Sequence, residues 1–107
     1  MNKEFDKFQK EFKKYQQKFG LTGYQIYFKY EPTEGCYADI TINELDRAAT
    51  VRLNKEGHLD AHKHAKHECL HLLLGRLQYL AHDRYARVSE IDSETESLVA
   101  KLQELIE

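Results

Sequence analysis

Along the first 19 residues, large apolar side chains return every three to four positions: Phe5, Phe8, Phe12, Tyr15 and Phe19, with charged and glutamine residues between them. That spacing predicts an amphipathic helix over about residues 2–19, with an aromatic face turned to a core. Gly20 fits the left-handed stop at its end. The pattern then switches. Residues 24–31, Y-Q-I-Y-F-K-Y-E, are rich in aromatic and β-branched types and read as a strand. Pro32 to Gly35 carries turn chemistry. In C-Y-A-D-I-T-I-N, residues 36–43, Ala38, Ile40 and Ile42 alternate with Tyr37, Asp39 and Thr41, which predicts a half-buried strand. After a turn at residues 44–46, A-A-T-V-R-L-N predicts a third strand over 48–54. Short links between successive strands predict an antiparallel meander.

From Leu59 the helical period returns. Ala61, Ala65, Leu70, Leu72, Leu73, Leu74, Leu77 and Leu80 lie on a proline-free segment whose weak point is Gly75. The dense leucines after His71 predict a helix buried on most sides. Residues 82–87 are polar and predict a loop. Ile91, Leu98, Val99, Leu102, Leu105 and Ile106 then return at helical spacing, with Ser89 or Ser93 placed to cap the last helix. The order α-β-β-β-α-α predicts an α+β fold: N-terminal helix, three-stranded antiparallel sheet, long helix, C-terminal helix. No repeat, linker or low-complexity tract divides the chain, so residues 1–107 are expected to form a single domain.

Composition narrows the classes. The chain is 41% hydrophobic and 32% charged, an ordinary globular balance. The net charge of −2 and the lack of a sustained basic patch give no reason to expect a nucleic-acid partner. No apolar run is long enough for a membrane span, and M-N-K-E-F-D-K-F has no signal-peptide core, so a cytoplasmic protein is expected. Cys36 and Cys69 are too few for a disulfide framework and wrongly spaced for a structural zinc site; free thiols fit a reducing compartment. Cys69 reads as a small buried helix residue, with metal ligation or redox sensitivity as the sharper alternative.

The chemistry lies at residues 67–71, H-E-C-L-H. On a helix, His67 and His71 stand one turn apart on one face. Two neutral imidazoles so placed can fill two corners of a tetrahedral zinc site. Glu68 sits where a water-activating carboxylate is needed, and zinc lowers the pKa of such a water to about 7. The competing reading is a histidine-rich helix face, since four of the six histidines fall between residues 62 and 71. Against it, the flanking leucines carry this helix into the core, where imidazoles need partners. His62 and His64, in the more polar first turns, read as solvated. The third ligand should come from downstream: Glu90, Glu94, Glu96 or His82. Periodicity does not separate Glu94 from Glu96, and any of these glutamates could instead be a solvated helix residue. A donor for transition-state charge is also expected, with Tyr79, His82, Arg84 and Tyr85 within reach in sequence.

H-E-C-L-H-L-L-L followed by E-S-L-V-A-K-L resembles a minimal zincin of the gluzincin type. It is similar to small HExxH proteins encoded by phages and mobile elements, and more distantly to the ImmA/IrrE-type and SprT-like families. The resemblance covers most of the chain as a layout. It implies a zinc metallopeptidase acting on a peptide or protein substrate, with His67 and His71 as ligands and Glu68 as general base. Glu96, followed by Val99 and Leu102, matches the phage-type glutamate pattern and is implied as third ligand; the ImmA-type pattern points instead to Glu94. The resemblance also implies that a sheet edge holds an extended peptide by strand addition. Two alternatives remain: a non-catalytic interaction module with a structural zinc site, and a metal-free helical binding domain.

Overall fold

The computed structural model describes residues 3–56, 60–82 and 87–106. Helix α1 spans Lys3–Lys18, strands β1, β2 and β3 span Gln25–Glu31, Ala38–Asn43 and Ala48–Asn54, and helices α2 and α3 span Ala61–His82 and Val88–Leu105. This is an α+β fold. The aromatic stripe of α1 does what its spacing predicts: Phe8, Phe12 and Tyr15 are fully buried. Phe8 and Phe12 meet Phe28 of β1 edge-on, at ring separations of 6.4 and 5.5 Å. Gly20 takes φ 72°, and the Leu21 and Gly20 amides close back on the Gln16 and Gln17 carbonyls at 2.8 and 3.1 Å. That is a Schellman stop, built on the glycine's freedom to turn left-handed.

The sheet corrects the expected meander. Its order is β1-β3-β2, so β3 is central, parallel to β1 and antiparallel to β2. The segment 32–37 crosses the end of β3 instead of folding back beside β1. Asn54 holds that crossing: its side-chain amide donates to the Thr33 and Cys36 carbonyls at 3.2 and 3.0 Å, and its backbone amide to Tyr37 at 2.8 Å. Ala49, Val51 and Leu53 fill the middle of the inner face. On the other face Arg52 reaches a carboxylate on each neighbouring strand, Asp39 and Glu31. Among the described residues, β2 is paired along one edge only, with β3.

Asp60 caps the start of helix α2: its carboxylate accepts from the Lys63 amide at 3.1 Å. Ala61, Ala65, Cys69, Leu70 and Leu72 are buried. The expectation of a helix buried on most sides fails beyond Leu72: Leu77 is 64% exposed, and Leu73, Tyr79 and Leu80 are also open. There the helix meets β2 through Gly75 and α3 through Gln78, and its remaining sides face solvent. His82 ends this helix instead of opening a loop, while Arg84 and Tyr85 lie outside the described residues. Helix α3 begins after Arg87 with no side-chain cap. Ser89 and Ser93 thus sit inside the helix rather than at its start, and Glu90 in the first turn faces the positive end of its dipole. Among the described residues, no helix is long and apolar enough to cross a membrane.

Candidate metal centre

The one-turn spacing of His67 and His71 sets their rings 5.0 Å apart on the face of α2 that meets α3. Val99, fully buried, seats α3 against the core, and Glu96, one turn earlier, reaches the histidines. Its Oε1 lies 2.5 Å from His71 Nε2 and its Oε2 3.7 Å from His67 Nε2. The three donor atoms fall within 4.8 Å of one another. A cation with bonds of about 2 Å closes that spread by small side-chain rotations. Two imidazole nitrogens and a carboxylate are a donor set suited to zinc. Burial holds His71 below the usual histidine value, with His67 adding to the effect and Glu96 opposing it; a neutral imidazole is the form that ligates.

His67 Nδ1 lies 2.8 Å from Gln103 Oε1, and the Gln103 amide donates in turn to the Lys63 carbonyl at 3.3 Å. With Nδ1 carrying the proton, the Nε2 lone pair is left free for a cation on the side that faces Glu96. Gln103 was not among the expected site residues. Its signal was its position seven residues after Glu96, two turns along the same face of α3.

Glu68 is 6% exposed. Burial pushes its carboxyl up to about 8, with the charges of Asp39 and Glu96 adding to the rise. It lines a cleft of about 330 Å³ together with Ala38, Asp39, His67, His71 and Glu96. The base candidate and the three donor residues therefore share one open space, bordered by β2.

The other expected residues separate. Glu94 lines the apolar groove of Leu77 and Leu98 between α2 and α3, and Glu90 pairs with Arg87 at 3.7 Å. His82 pairs with Asp92 at 3.2 Å. Tyr79 and His82 line a second cleft that shares His71 and Glu96. His62 and His64 are not simply solvated. His62 bridges the Tyr15 hydroxyl at 3.1 Å and Glu11 at 3.0 Å, tying α2 to α1. The half-buried His64 ring lies 5.1 Å from that of Tyr37, and burial lowers its proton affinity. Cys69 is fully buried and its thiol is pushed up to about 12 by that burial, so it stands as a core residue rather than a ligand.

No protein-family model matches the sequence, and no curated protein matches it. Among solved structures, the fold is similar to the crystal structure of the metallopeptidase zymogen of Methanocaldococcus jannaschii jannalysin. The two chains are 16% identical, and the match covers 92% of this chain and 97% of that one, with a TM-score of 0.46.

Proposed function

We propose that this chain is a zinc-dependent metallopeptidase, a minimal single-domain zincin of the gluzincin type spanning residues 1–107. The observation that carries the reading is the convergence of His67, His71 and Glu96 beside the buried Glu68 in one open cleft. In this reading the two histidines and Glu96 hold the zinc. When bound, zinc supplies Lewis acidity that polarises a scissile carbonyl and acidifies the attacking water. Glu68 accepts the proton of that water on its carboxylate and delivers it to the departing amine, so that one side chain serves as base and then acid. A nearby cation favours the charged form of Glu68 and offsets the burial that otherwise keeps it protonated. Gln103 holds the His67 ring in the tautomer that leaves Nε2 free.

The substrate we infer is a peptide or protein segment in extended form. Among the described residues β2 is paired along one edge only, and Ala38, Asp39 and Ile40 of that strand border the cleft. A peptide can add to the other edge by backbone hydrogen bonds, which aligns it without demanding a deep pocket. The free thiols of Cys36 and Cys69 suit a cytoplasmic site of action.

The test is a comparison of the native chain with Glu68→Gln, both loaded with zinc and offered a mixed peptide library. The variant is expected to retain zinc and lose hydrolysis. Full activity in the variant would refute the mechanism. Zinc retained by both, with no peptide cut by either, would favour the alternative of an interaction module stabilised by a structural zinc.

A further inference from the structure

Beyond the zinc-binding reading, a second cleft of about 380 Å³ opens from the same centre, sharing His71, Glu96 and Ile40 with the first. It runs along the inner side of β2 past Ile40 and Ile42 to Glu44. The close approach of this end of β2 to α2 depends on Gly75. A methyl group there would stand 2.9 Å from Ile42 Cδ1 and 3.3 Å from Glu44 Oε2.

Glu44 is 7% exposed, a nearly buried carboxylate on the cleft wall. Its donor among the described residues is the Tyr24 hydroxyl, 2.9 and 2.8 Å from its two oxygens. Burial first, and then the Glu44 contact, hold the Tyr24 phenol in its protonated, donating form. One hydroxyl cannot fill the roughly four acceptor sites of a carboxylate. No lysine or arginine lines this cleft among the described residues, and none makes an ion pair with Glu44. The Arg47 guanidinium instead lies over the Tyr24 ring, 4.2 Å from its centre. Asp92 adds a second negative charge to the cleft, partnered by Gln78 at 2.7 Å and His82 at 3.2 Å. Between the His71 and Glu96 centre and Glu44 the wall is apolar, at Ile40 and Ile42, and the far end carries the Glu44 and Asp92 carboxylates beside Gln78, Tyr79 and His82. That profile suits a long aliphatic stem with a cationic tip.

We propose that this cleft is a side-chain pocket that selects a lysine or arginine of the substrate, with Glu44 as the specificity-determining residue. The proposal rests on the peptidase reading for its role in cleavage, but its chemistry stands on the pocket itself. Glu44 opens the turn that follows β2, two residues after Ile42, and lines the same cleft. An extended basic side chain lying over Ile40 and Ile42 points its tip at that carboxylate. Its charge then meets the Glu44 carboxylate in a setting that screens the pair little.

Two measurements test it. The first is binding of Nα-acetyl-lysine N-methylamide, and of its norleucine counterpart, to the full zinc-loaded Glu68→Gln chain. Backbone amide shifts of Ile42 and Gly75 in NMR titrations report the pocket. The lysine probe should bind at least about tenfold more tightly than the norleucine probe, and Glu44→Gln should erase the difference. Equal affinities, no detectable lysine binding, or shifts remote from Ile42 and Gly75 would overturn the pocket. The comparison of the two probes needs no change at Glu44, so it holds even if that variant fails to fold. The second is cleavage of a peptide library by the active chain, with the cut sites mapped by mass spectrometry. Lysine and arginine should be enriched at one fixed position from the cut. Cleavage with no such enrichment overturns the pocket and leaves the peptidase. Lysine-selective binding with no cleavage of any peptide supports the pocket and overturns the peptidase.

Discussion

In the metal-free protein, replacing Glu68 by glutamine should raise stability, and by more as the pH rises. Burial penalises the charge of Glu68 and pushes its carboxyl up to about 8 in the fold, against an ordinary 4.5. The folded state therefore binds this proton more tightly than the unfolded chain does. Between those two values the folded chain carries more protons, so stability falls as the pH increases. At about 1.4 kcal/mol for each tenfold change in proton affinity, the loss approaches about 5 kcal/mol above pH 8. That is comparable to the whole stability of many small domains, so the metal-free native chain should be marginal in mild alkali. Glutamine has no charge to bury. The assay is urea unfolding of both metal-stripped chains at pH 5, 7 and 9. The histidine contributions are common to both chains and largely cancel in the difference. The variant's advantage should be small at pH 5 and reach several kcal/mol at pH 9, and saturating zinc should shrink it by favouring the carboxylate. A difference that stays flat from pH 5 to pH 9 would refute the claim that a buried, proton-retaining Glu68 faces the cleft.

Gln103→Leu removes the acceptor for the His67 Nδ1 proton and should weaken zinc binding by about 10- to 100-fold in competition with a chromophoric chelator; unchanged affinity would show that the contact does not orient the ligand. Asp60→Ala should cost about 1 kcal/mol at neutral pH through loss of the α2 cap. The Lys63 amide holds the Asp60 carboxyl below its ordinary 3.8, so this contribution is present above that value and disappears as the pH falls through the lower, folded one; thermal melts at pH 7 and pH 2 should show the gap and its closure. Tyr24→Phe removes the hydroxyl from both Glu44 oxygens and should destabilise the fold by about 1.5–3 kcal/mol in urea titrations. No loss would mean that water replaces the hydroxyl freely.

Helices were legible because their periodicity is local. Phe5 to Phe19 mark one face of α1, and the capping glycine follows them directly. Strand alternation likewise showed which side chains of β2 turn inward, but alternation carries no information about which strand lies alongside. The central place of β3 depends on a crossing segment held by Asn54, a contact made only after folding. A trace of it was present in the charges: Arg52 lies between Glu31 and Asp39, an arrangement that suits a middle strand. The exposed Leu77 and Leu80 had no signal of their own, because hydropathy does not say where a helix outruns its neighbours. His67, Glu68 and His71 could be grouped because they belong to one turn of one helix. Glu96 and Glu94 could not be separated by period, since both flank the apolar stripe of α3. Packing makes the distinction: burial of Val99 turns Glu96 towards the histidines, while Glu94 leans over Leu77 and Leu98.

The most direct test of the central claim is the zinc content of the purified chain beside His67→Ala, Glu94→Ala and Glu96→Ala. One zinc per chain is expected, kept by Glu94→Ala and lost or greatly weakened in His67→Ala and Glu96→Ala. A chain that takes up no zinc when it is supplied, or one that keeps it undiminished without His67 and without Glu96, would contradict that claim.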